Sequence, residues 1–285
     1  MDRHIEDVQG KSHPGFGRCI FCRLDGGGNG LRREHIIPKS LGGNAVIQEA
    51  SCKACEAITS YVDGYLAKAI YQEYRAHTDA PSRRKKARPT ESLARVIIDG
   101  VEDVRIFQTK AKPYFLAMPV WGLPTALTAG IPSPNFPTMK AHIYEFIPAD
   151  IRERLGVDAS GSVQVRGTGK INYSTFARGI AKIAYCNAVM RYGLEGFRPF
   201  PIVDVILGKS PYASHFVGVP LDDPPPPEPR GIVHKVEFDV WASPSGQILV
   251  STIRLFAHSG TEQTGMPIYH VAIGQPKHSR PLATQ

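Results

Sequence analysis

The chain has 285 residues, of which 42% are hydrophobic and 21% charged, enough for one or two domains with a buried core, so a wholly disordered chain is excluded. Its 34 basic against 26 acidic residues give a net charge of +8 and an isoelectric point of 9.3, a balance that suits a polyanionic partner without identifying one. No apolar run approaches a membrane span, the first residues lack a signal peptide's hydrophobic segment, and five cysteines is an odd number, so the expectation is a cytoplasmic protein with reduced thiols and no membrane partner.

Residues 1–17 are polar and broken by His13-Pro14-Gly15, which predicts a flexible leader with structure beginning near Cys19. After the turn-rich Asp25-Gly26-Gly27-Gly28-Asn29-Gly30, the spacing predicts a short strand over 31–37 and a second over 45–50. From Cys52 onward, Ile58, Tyr61, Val62, Tyr65, Leu66, Ala69 and Ile70 recur at steps of three and four, the pattern of an amphipathic helix reaching about Tyr74. Residues 79–90 carry Arg83, Arg84, Lys85, Lys86 and Arg88 between Pro81 and Pro89, a basic linker at a domain boundary near residue 80. Strands follow over 93–98, 101–107 and 114–119, then a proline-rich loop region over 121–137. A second helix runs over 174–192 and stops at Gly193. The tetraproline Pro224 to Pro227 reads as an extended connector, and strands over 232–240, 247–256 and 267–273 suggest an antiparallel meander. The predicted class is α+β, with 18–78 as one unit and 91–285 as an accessory α+β region of undefined role.

Two cysteine pairs, Cys19-Ile20-Phe21-Cys22 and Cys52-Lys53-Ala54-Cys55, bracket the run Glu34-His35-Ile36-Ile37-Pro38-Lys39-Ser40-Leu41-Gly42-Gly43. In each pair the two-residue gap lets both sulfurs of a knuckle reach one tetrahedral Zn²⁺ at about 2.3 Å. The plain alternative is a coincidental pair of buried or redox-active dithiols. The 29 residues between Cys22 and Cys52 exceed a zinc-ribbon gap and leave room for an inserted hairpin carrying Glu34 and His35. Zinc there is structural, tying together a motif too small to hold itself by hydrophobic burial. Cys186, alone in the second helix, reads as an ordinary buried residue.

Hydrolysis of a phosphodiester needs an acid-base group for water and a divalent ion for the developing charge, and Glu34 and His35 supply both residue types. Adjacent strand residues face opposite ways, so both serve one site only if the backbone bends or bulges there. Outside the cysteine frame the pair would read as a surface dipeptide. The frame of Cys-x-x-Cys, Glu-His-Ile-Ile-Pro-x-Ser-Leu-Gly-Gly and a second Cys-x-x-Cys opening a helix resembles the HNH endonuclease superfamily over residues 18–70. The resemblance implies a zinc-stapled ββα-metal motif, with His35 as general base and Glu34 as a ligand of a catalytic divalent cation, Mg²⁺ or Mn²⁺. A further ligand, usually Asn or His after the second pair, falls on Glu56, a competent hard donor. The family's middle Asn falls on Ile47. Asn44 is the nearest replacement for orienting the base, although Gly43-Asn44 also reads as a plain turn. Asp63 matches an acidic position of this branch and reads equally as a solvated helix residue.

Arg32, Arg33, Lys39 and Lys53 flank the site as candidate phosphate contacts, with generic surface charge as the alternative. The Arg83 to Arg88 run is either a backbone-following arm or solvated linker charge. The implied activity is DNA cleavage, with RNA as the other polyanion. A non-catalytic zinc module that binds nucleic acid is the alternative function. Protein partners leave no trace in the sequence.

Overall fold

The computed structural model describes residues 12–78, 90–158, 160–167, 169–243 and 246–277. Most of the expected leader and the run Arg83 to Arg88 lie outside the described residues.

The chain begins with β1 (Ser12–His13), β2 (Arg32–His35) and β3 (Val46–Ser51), which form a sheet in the order β1-β3-β2, followed by α1 (Lys53–Tyr65). The β2–β3 ladder is irregular: Arg32 faces Ser51 but Glu34 faces Ile47, and Glu49 stands at φ 43° in the bulge between. Between the strands, Gly43 passes so close to Ile37 that an added Cβ would lie 2.2 Å from the Ile37 carbonyl oxygen, which restricts the position to glycine.

The helix predicted to run to Tyr74 is interrupted. After α1 the turn widens into a π-helix over Leu66–Ile70 before α2 (Gln72–His77). The Tyr71 amide bonds the Leu66 carbonyl, bypassing Ala67, and Arg75 Nη1 donates to the Ala67 carbonyl at 2.9 Å instead. This offset buries Leu66 and Ala67 while keeping the backbone satisfied.

The middle of the chain adds β4 (Glu91–Ile98), β5 (Val101–Gln108), β6 (Tyr114–Val120), β7 (Lys140–Phe146), α3 (Ile151–Leu155) and β8 (Val163–Arg166), in sheets β5-β4-β8 and β6-β7. Periodicity misses β7, α3 and β8 because they are short and half-exposed: only Tyr144 of β7 and Ile151 of α3 are buried, and no residue of β8 is.

Next come α4 (Tyr173–Tyr192), β9 (Phe197–Pro199), α5 (Ile202–Ile206), α6 (Ala213–Phe216) and β10 (Val217–Gly218), then β11 (His234–Ser243), β12 (Gly246–Leu255) and β13 (Tyr269–Pro276). The last three form the expected antiparallel meander, and β10 and β9 pair along the free edge of β13. Helix α4 starts at the Asn172 cap, whose side chain accepts from the Thr175 amide at 2.9 Å, and ends at Gly193.

Almost every residue from Thr175 to Val189 is buried, so α4 is wrapped on all sides: by α1 on one and by β12 and β13 on another. At Gly179 it comes so near α1's continuation that a Cβ would sit 2.6 Å from Leu66 Cδ1. One hydrophobic cluster therefore runs from Cys19, Ile36 and Leu66 through Phe176 and Ile180 to Ile253 and Val271.

Candidate functional site

The two knuckles meet at the start of α1. The first folds on the Arg23 amide to Cys19 carbonyl bond of 2.9 Å and is tied to β3 by the Ile20 amide donating to Ala50 at 2.7 Å. The second begins with Cys52, the residue that caps α1. The sulfurs of Cys19, Cys22, Cys52 and Cys55 lie within 4.8 Å of one another, with Cys22 and Cys52 Sγ 3.6 Å apart. A tetrahedral ion with Zn–S of about 2.3 Å needs sulfurs about 3.8 Å apart. Burial works to raise the Cys52 thiol, but the Cys55 amide and the neighbouring sulfurs outweigh it and bring it down to about 7. The four-cysteine cluster fits a structural zinc.

In the β2–β3 ladder, Glu34 pairs with Ile47 and His35 with Val46. Cross-strand partners share a face, so Glu34 shares the inward face with fully buried Ile47, and His35 shares the opposite one with half-buried Val46. The Glu34 carboxylate, 4% exposed, accepts from Lys182 Nζ at 2.8 Å on one oxygen and from Thr59 Oγ1 at 3.1 Å on the other. Among the described residues no side chain hydrogen-bonds the His35 imidazole. Burial, Lys182 and Arg33 hold it below the ordinary histidine range.

Lys182, on α4, is a site residue the sequence reading missed. Its side chain is fully buried, and its three N–H bonds go to the His35 carbonyl at 2.5 Å, to Glu34, and to Asp63 at 3.1 Å. Burial alone would lower its pKa, but Asp63 and Glu34 reverse that and hold it charged, above the usual lysine range. Burial pushes the Asp63 carboxyl the other way, up to about 6, against the pull of Lys182. The available signal was a lysine inside Ile180-Ala181-Lys182-Ile183-Ala184, where a helix apolar on all sides has no place for an unpaired charge.

The remaining candidates lie nearer the surface. Glu56, in the first turn of α1, pairs with Arg32 at 3.3 Å, both partly exposed. Asn44 is exposed in the turn before β3, and Arg33, Lys39 and Lys53 are exposed around the same hairpin and helix start. Among the described residues, the four thiols are the set of three or more metal-binding side chains whose donor atoms converge within 4.8 Å, and Glu34, His35 and Glu56 form no second set. Glu34 is turned inward to Lys182 and Glu56 outward to Arg32, so these donors do not fit one catalytic ion in this arrangement. No helix among the described residues is long and apolar enough to cross a membrane.

Comparison with known proteins adds one match: residues 19–69 fit the family model of the HNH endonuclease. No curated protein and no solved structure matches the chain. The matched span takes in both cysteine pairs, the Glu34-His35 dipeptide and α1, and it identifies the amino-terminal part of this α+β chain as a domain of the HNH endonuclease family.

Proposed function

We propose that the chain is an HNH-type endonuclease that hydrolyses phosphodiester bonds in DNA, with His35 as general base. The observation that carries this reading is the placement of His35 within the family-matched span: a half-buried imidazole at the end of β2 whose pKa burial, Lys182 and Arg33 hold below the ordinary histidine range. A neutral imidazole accepts the proton of an attacking water while that water's oxygen bonds to phosphorus and the bond to the leaving oxygen breaks. Arg33, Lys39 and Lys53 supply positive charge for backbone phosphates, and Asn44 is the candidate to orient the base. HNH chemistry draws on a divalent ion such as Mg²⁺ or Mn²⁺ to stabilise charge at the scissile phosphate. Glu34 and Glu56, the ligands assigned from sequence, do not converge on one such ion.

The test is plasmid nicking by the zinc-loaded full chain over a panel of divalent ions. His35→Ala should lose cleavage by about 10² or more with zinc content unchanged, the range for removal of a general base. A wild type that leaves every DNA form intact with every ion sinks the proposal.

The second reading is a non-catalytic zinc module that binds nucleic acid. It is favoured by two observations: Ile47 stands where the family has its middle Asn, and Glu34 is neutralised by Lys182. It expects salt-sensitive DNA binding without turnover.

A further inference from the structure

One buried acid, one partly exposed acid and one buried base meet where the sequence alone suggests a metal ligand. Glu34 from β2 and Asp63 from α1 both face the ammonium of Lys182 from α4, which also binds the carbonyl of His35. All three lysine protons are used, and the second Glu34 oxygen is taken by Thr59. A divalent ion on Glu34 would have to displace this fully buried ammonium from its three acceptors, and would lie on the face of β2 opposite the His35 side chain.

We infer that Lys182 is the resident cation of the HNH site: its ammonium holds the place between Glu34 and Asp63 that a divalent ion would take, which makes Glu34 and Lys182 positioning residues rather than metal ligands. Through the Lys182–His35 carbonyl bond, helix α4 fixes the end of β2 from which the imidazole projects. Glu56, held only by an exposed pair with Arg32, is then the carboxylate left open to exchange with an ion on the solvent side. The positioning role rests on the nuclease reading, whereas the occupancy of the Glu34–Asp63 pair does not.

The test is Mn²⁺ titration of the zinc-loaded full chain without DNA, followed by electron paramagnetic resonance, for wild type, Glu34→Gln and Lys182→Met, each checked for folding by circular dichroism. Glu34→Gln should leave Mn²⁺ affinity within about twofold of wild type, and Lys182→Met should bind Mn²⁺ at least tenfold more tightly because two carboxylates are released together. A tenfold loss of Mn²⁺ affinity in folded Glu34→Gln overturns the inference, as does a folded Lys182→Met with unchanged affinity. Should Lys182→Met not fold, Glu34→Gln still decides. Plasmid nicking by the same wild-type sample reads the nuclease proposal separately, so an inactive protein with the expected Mn²⁺ pattern removes the activity and keeps the resident cation.

Discussion

A lysine with no exposed surface is tolerated only because every proton on it has an acceptor. Taking the charge away strands Glu34 in the core and leaves partly exposed Asp63 unpaired beside it, and breaking a buried pair such as Glu34–Lys182 costs about 3–5 kcal/mol. Urea unfolding of Lys182→Met should show a loss of that size, and adding Glu34→Gln and Asp63→Asn should restore part of it, because two neutral amides are cheaper to bury than two uncompensated anions. Full additivity of the three changes would show that the groups do not interact. Arg33 behaves differently, since it is exposed and its contribution is to long-range charge. Arg33→Ala should lower the slope of log K against log salt for DNA binding by about 1 without altering stability, measured by fluorescence anisotropy between 50 and 200 mM salt. An unchanged slope removes Arg33 from the phosphate contacts.

At the scale of elements, α4 meets the π-turn closely at Gly179. Gly179→Val must push Leu66 aside, and overpacking of this kind costs about 1–3 kcal/mol. A thermal melt that does not shift would mean that Leu66 has room to move. Strand β13 carries His270, whose pKa burial lowers below the ordinary histidine value and whose Nδ1 has no partner among the described residues. Near and below pH 6.5 the unfolded chain takes up a proton that the folded chain refuses, so stability is present above pH 6.5 and falls as the pH drops through that value. Melts at pH 7.5 and 5.5 should therefore show a smaller acid loss in His270→Gln than in the wild type.

These elements were unequally legible. Strong patterns, such as the cysteine spacing, the 3.6-residue repeat of α1 and α4 and the alternation in β12, translate into structure because each burial face is long and continuous. Strands β7 and β8 bury too little to leave a pattern, and the π-turn depends on Arg75, eight residues beyond the carbonyl it satisfies. The site divides in the same way. Residues marked by their spacing in the sequence, the thiols and the Glu34-His35 dipeptide, could be located from it. Lys182 could not, because its partners stand 119 and more residues away and no local rule links them.

For the whole molecule, the four-cysteine motif shares its apolar core with α4 and the carboxy-terminal meander, and Tyr185 Oη and His234 Nε2 donate across that join to the carbonyls of Ile20 and Leu41. The sequence suggests a boundary near residue 80, but the packing crosses it. Expressed alone, residues 12–78 should bind zinc yet unfold without a cooperative transition, since the surface of α1 that meets α4 is left in water. A sharp two-state melt of that fragment by circular dichroism would show that the motif stands by itself. The same packing sets a clock on the ribosome. Glu34 and Asp63 leave the exit tunnel long before the base that neutralises them, and at about 5–20 residues per second the 119 residues from Asp63 to Lys182 take about 6–24 s to make. A nascent or prematurely ended chain thus carries the cysteine knuckles and the histidine without the helix that locks them, and the site matures only once α4 has been made.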